Sequence, residues 1–121
     1  MRWPWQRDER HSYEETTFSH DSPAPAVPEG AARRRVLFSG SVQGVGFRFS
    51  CQMAADAHGL TGWVENLDDG DVLTEVQGQE ADIEAFLDDI AHPRGRVFYN
   101  ARVAGSEAIE PVAESGYRVV G

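Results

Sequence analysis

The chain has 121 residues and a formal net charge of −9, its basic residues all arginine. That length makes one small domain, and an acidic balance of this size repels nucleic acid and anionic lipid at long range. Neither is an expected partner, and no stretch approaches the ~20 apolar residues of a membrane span.

Residues 1–32 differ in texture from the rest. They hold Pro4, Pro23, Pro25 and Pro28 and show no sustained hydrophobic period. Ser22-Pro23-Ala24-Pro25-Ala26-Val27-Pro28-Glu29-Gly30 reads as a stiff, extended linker. A disordered extension is expected, with residues 33–121 forming the domain. Trp3, Trp5, Tyr13 and Phe18 are unusual in such a segment, so a docking peptide or a pad over an apolar groove stays open. No apolar run follows the basic residues of the N-terminus, and the single cysteine, Cys51, allows no intramolecular disulfide. A cytoplasmic protein is the simplest reading.

Arg33–Ser41 is apolar and β-prone enough for a first strand, and Phe47–His58 reads as a helix closed by Gly59. Thr61–Asn66 and Val72–Gln77 are strands joined by Leu67-Asp68-Asp69-Gly70-Asp71, a strong hairpin turn. A second helix is expected over Gln79–Ala91, with Ile83, Phe86, Leu87 and Ile90 on one apolar face and Pro93 and Gly95 as stops. Val97–Ser106 reads as a fourth strand and Tyr117–Val120 as a short terminal one. The order βαββαβ predicts an α+β, ferredoxin-like sandwich: an antiparallel sheet, two helices on one face, and a short extra C-terminal strand. That fold hosts unrelated functions, so function must come from a site. RNA binding on such a sheet needs exposed aromatics with basic neighbours; the middle strands offer Trp63 and the wrong charge.

The most informative segment is Gly40-Ser41-Val42-Gln43-Gly44-Val45-Gly46-Phe47-Arg48, a glycine-rich turn from strand into helix. Such a turn lets main-chain N–H groups converge on one point, and the helix N-terminus adds partial positive charge. Arg48 follows in the first helical turn, where its planar fork can grip an oxyanion. The lysine of a P-loop is absent, and Phe49 stands where a dinucleotide-binding turn needs its third glycine. By spacing alone, a phosphate cradle and a plain turn with a solvated arginine are both open.

The other chemistry-bearing residues have plainer readings. Cys51 is expected as a small buried hydrophobe. His58 suits the end of a helix; His92 is loop punctuation, and His11 and His20 fall in the extension. Asp68, Asp69 and Asp71 lack calcium-loop spacing and read as turn formers, so no metal site is expected. Trp63 is expected to pack beneath the glycine turn. Asn66, taken alone, is a turn-starting residue.

The turn resembles the signature of the acylphosphatase family. A second family block follows at Gly59-Leu60-Thr61-Gly62-Trp63-Val64-Glu65-Asn66, with Asp69-Gly70 beyond, and the spacing from Arg48 to Asn66 is the family's. The resemblance spans roughly Arg33 to Gly121 and weakens after Ile90. It implies hydrolysis of small acyl phosphates without cofactor or metal. Arg48 and the main-chain N–H groups of Gln43, Gly44, Val45, Gly46 and Phe47 would hold the phosphoryl group, and Asn66 would guide the attacking water. A monomer is expected. Glu65 departs from a position often basic in the family, and strand alternation points it away from Asn66. Two alternatives stay open: a silent anion-binding or interaction module, and a carbamoyl-phosphate-processing module. The second is disfavoured because no nucleotide-binding or zinc-finger continuation is present.

Overall fold

Alternation along the first strand sorts its side chains onto two faces. In β1 (Ala32–Ser41), Val36 and Phe38 enter the main core, whereas Leu37 joins a smaller cluster on the other side. The structure is a computed structural model that describes residues 26–121; the expectations for Trp3, Trp5, Tyr13, Phe18, His11 and His20 lie outside those residues.

The remaining elements are α1 (Phe47–Ala57), β2 (Thr61–Asn66), β3 (Val72–Gly78), α2 (Glu80–Ala91), β4 (Asn100–Ile109) and β5 (Tyr117–Val119). The sheet order is β4-β1-β3-β2-β5. β1 lies antiparallel to both β3 and β4, and β2 antiparallel to β3. β5 adds to the free edge of β2 in parallel, so the extra strand makes the sheet mixed. The ferredoxin-like βαββαβ order is therefore present. Among the described residues, no helix is long and apolar enough to cross a membrane.

Most boundaries fall within a residue of the sequence reading, and β4 departs most. It was expected over Val97–Ser106 and forms three residues later at each end. Leu37 pairs with Gly105 and Phe38 with Val103, leaving Ala104 as an extra residue in a bulge. A bulge breaks the period-two pattern by which strands are read.

Both helices cover one face, over a core that includes Phe38, Phe47, Cys51, Val64, Ile83 and Phe86. Trp63 corrects an expectation: it packs with Leu37 and Leu73 in the cluster on the opposite face, not beneath the glycine turn. Alternation along β2 sends Val64 to the helices and Trp63 away from them.

The chain must pass from β4 at one sheet edge to β5 at the other. The helices occupy one face, and the connection over residues 110–116 is tied down to the other. Gln77 on β3 donates to the Val112 carbonyl at 2.7 Å and accepts from the Val112 N–H at 2.8 Å. Arg33 bridges Glu75 at 2.8 Å and Glu114 at 2.6 Å, all three buried.

Candidate active site

Backbone geometry at the end of β1 builds the site. Val42 drops into the core, and the chain then turns through Gly44 at φ 74° and Gly46 at φ 80°. Left-handed backbone of this kind costs an ordinary L-residue roughly 1–2 kcal/mol, which is why glycine stands at both places. Gly46 also N-caps α1: the Ser50 N–H donates to its carbonyl at 3.1 Å, no side chain among the described residues caps the helix, and its first turn carries no acid. The partial positive charge of this helix end is therefore not offset by a capping side chain of the described residues or by an acid in the helix's own first turn. Among the described residues, the main-chain N–H groups of residues 43–46 make no hydrogen bond.

Phe47 fixes where the helix begins. It is buried edge-on between Phe38, at 5.1 Å, and Tyr99, at 4.7 Å between ring centroids. Tyr99 in turn donates its hydroxyl to the Ile90 carbonyl at 3.0 Å, linking the helix start to α2. Arg48, one residue on, points to the mouth of the turn.

There the structure brings the two expected side-chain positions together. Arg48 donates from Nη1 to the main-chain oxygen of Gly121. The main-chain N–H of Asn66 donates to that same oxygen at 3.2 Å. Arg48 and Asn66 thus converge on one atom although they sit on different elements. The Asn66 side-chain oxygen, Oδ1, is buried and has no partner among the described residues.

Gln43 does more than the sequence reading gave it. Its Nε2 donates to the carbonyls of Leu67 and Asp71, both at 2.8 Å. These are the two residues whose own main chains close the β2–β3 turn at 2.8 Å. One amide therefore clamps the hairpin that follows Asn66 onto the glycine turn. Gly121 and the Gln43 side chain were missed because their partners are remote in sequence. The two N–H donors of a glutamine amide were the signal that a main-chain role left unused.

The turn opens into a cleft of about 210 Å³, lined by Val42, Gly44, Gly46, Arg48, Phe49 and Val119 among others. A second hollow, of about 450 Å³, lies between the C-terminal ends of the helices, beside Met53, His58, Asp89 and Tyr99. It holds none of the expected site residues.

The other candidates take structural places. Cys51 is fully buried, and desolvation pushes its thiol well above the ordinary range, which removes it as a nucleophile. His58 caps α1 and contacts Asp89 Oδ2 on α2 at 2.7 Å. Asp69 Oδ1 accepts the Asp71 N–H at 3.0 Å inside the turn. No group of three His, Cys, Asp or Glu side chains able to hold a metal occurs among the described residues.

Known proteins resemble this chain in sequence and fold. The family model described as Acylphosphatase covers residues 34–114. The chain is 54% identical over 63 residues to an acylphosphatase of Clostridium perfringens, spanning 52% of this chain and 71% of the relative. It is 40% identical over 83 residues to one of Bacillus velezensis, spanning 69% of this chain and 88% of the relative. The structure of an acylphosphatase from Coxiella burnetii superposes with a TM-score of 0.65 at 31% identity, over 76% of this chain and 95% of that one. The family model's span takes in the glycine turn, Arg48 and Asn66, and the similarities together do not favour the carbamoyl-processing alternative. The chain belongs to the acylphosphatase family.

Proposed function

We propose that Arg48 and the main-chain N–H groups of Gln43 to Phe47 bind the phosphoryl group of an acyl phosphate while Asn66 sets a water in line behind the phosphorus. The observation that carries this reading is the meeting of Arg48 and Asn66 at the Gly121 oxygen, beside a turn whose N–H groups at residues 43–46 have no partner among the described residues. A guanidinium has five N–H donors in a fixed plane. One bond to Gly121 orients that plane and leaves donors for the phosphoryl oxygens. The Asn66 amide can both donate and accept a hydrogen bond, which is what holding the attacking water requires.

The chemistry asks for little more. Attack of water on phosphorus breaks the phosphorus–oxygen bond, and the departing group is a carboxylate. Carboxylic acids have pKa values of about 4–5, so this group leaves at neutral pH without a general acid. Phosphoryl transfer passes through a loose transition state in which positioning and charge stabilisation dominate. Stable phosphate esters, whose alkoxide leaving group does need an acid, are expected to be poor substrates.

Action as a monomer in the cytoplasm is part of this reading. Steady-state hydrolysis of benzoyl phosphate, with and without EDTA, tests the mechanism. Turnover unaffected by the chelator and competitively inhibited by inorganic phosphate is expected. Loss of turnover on chelation, restored by a divalent metal, contradicts it.

A further inference from the structure

Phe49 and Val119 are large apolar side chains left 62% and 40% exposed. Singly, exposed apolar residues on a protein surface need no explanation. These two come from different elements, α1 and β5, and line the same cleft as Arg48. Phe49 directly follows Arg48, so its side chain leaves the helix about 100° around from the guanidinium. Val119 is brought there by the parallel pairing of β5, in which it faces Val64 of β2.

We propose that Phe49 and Val119 form an apolar wall for the acyl group, so that the enzyme favours acyl phosphates whose carboxylic acid is aromatic or branched-aliphatic. This rests on the phosphoryl group lying against Arg48 and the glycine turn. With that end fixed, the acyl carbons must leave along the lining of the cleft, where Phe49 and Val119 are the exposed apolar surface. The cleft of about 210 Å³ has room for the phosphoryl group and the first atoms of the acyl chain. The rest lies against the wall rather than inside a pocket. Among the described residues Arg48 is the one charged side chain in that lining, so an acyl group with a second carboxylate meets no further cation from them.

The test is the ratio of kcat/KM for benzoyl phosphate to that for acetyl phosphate, in the parent, Phe49→Ala, Phe49→Leu and Arg48→Ala proteins. Enclosed apolar sites discriminate about 10- to 200-fold per methylene, and this half-open wall belongs at the low end. Phe49→Ala should lower the ratio about tenfold, chiefly through the KM for benzoyl phosphate, and Phe49→Leu should keep most of it. Because Phe49 is exposed, neither change threatens the fold. A ratio within about twofold of the parent's in Phe49→Ala overturns the wall. Arg48→Ala separates this from the reading beneath it: loss of activity on both substrates upholds the phosphate site, and retention on both removes that site whatever Phe49 does.

Discussion

Gln43 acts through its side chain as well as its backbone. Its place in the glycine turn suggested one more N–H for an oxyanion, yet its amide reaches Leu67 and Asp71 across the hairpin. Arg48, Gly44 and Gly46 were legible because their requirements are local: a cation one residue into a helix, and two left-handed backbone positions. Gln43, Gly121 and Phe49 were not, because each depends on which remote segment the fold lays beside it. Gln43→Leu preserves the bulk of the side chain and removes two hydrogen bonds, leaving the Leu67 carbonyl only the Gly70 N–H and the Asp71 carbonyl only the Leu67 N–H. The expected loss of stability is about 1–3 kcal/mol, read as a lower urea midpoint. Because Asn66 immediately precedes the released turn, kcat should fall roughly tenfold while the inhibition constant of phosphate changes little. A variant that loses stability with kcat intact makes Gln43 structural only.

Neighbouring arginines of one strand show what an element does with the two faces it separates. Arg34 reaches the helix side and meets Glu80 at 2.6 Å, in a pair open to solvent chiefly on the glutamate side. Arg33 points the other way into a buried cluster, where Glu75, Gln77 and Glu114 accept its hydrogen bonds and Thr61 also donates to Glu114, at 2.8 Å. That cluster anchors the crossing from β4 to β5, and β5 brings Gly121 back to Arg48 and Asn66. Arg33→Met strands the buried Glu114 carboxylate and should cost about 3–5 kcal/mol. Arg34→Met should cost no more than about 1 kcal/mol, as exposed ion pairs do. Thermal melts decide it, since about 1 kcal/mol moves the midpoint of a domain this size by roughly 4–8 °C. Equal shifts in the two variants contradict the buried anchor. Charge pattern alone did not distinguish these arginines, because Arg33, Arg34 and Arg35 form one basic run in sequence. Strand alternation assigns them to faces, but which face is closed over by residues 110–116 is a fact of the whole topology.

For the whole molecule, the element order and both helices were legible from hydrophobic period and turn chemistry. The register of β4 and the parallel docking of β5 were not. β4 carries a bulge, and β5 is three residues long, too short for a pattern. The assembled core also sets a pH limit on stability. Burial raises the Cys51 thiol above its ordinary 9.0 and the Tyr117 hydroxyl above its ordinary 10.0. Both stay neutral in the folded chain while their unfolded counterparts ionise. Their contribution is therefore complete below about pH 9 and is lost as pH rises beyond it, at up to about 1.4 kcal/mol per pH unit for each group. Urea midpoints should fall from about pH 9 upward, and Cys51→Ala should flatten the fall between about pH 9 and 10, leaving the Tyr117 part above it. An unchanged slope in that variant contradicts the assignment.

The division of labour between Arg48 and Asn66 is the centre of the account, and one paired measurement tests it most directly. The inhibition constant of inorganic phosphate and kcat on benzoyl phosphate are determined for Arg48→Ala and Asn66→Ala, with circular dichroism confirming that both fold. Arg48→Ala should lose phosphate affinity and turnover together, the rate by on the order of 10³ or more, and Arg48→Lys should recover little because a point charge cannot replace the planar fork. Asn66→Ala should bind phosphate nearly as the parent does while kcat drops by at least ~10², since only the water loses its guide. A folded Asn66→Ala protein that keeps most of its kcat would make Asn66 a turn residue and contradict the account.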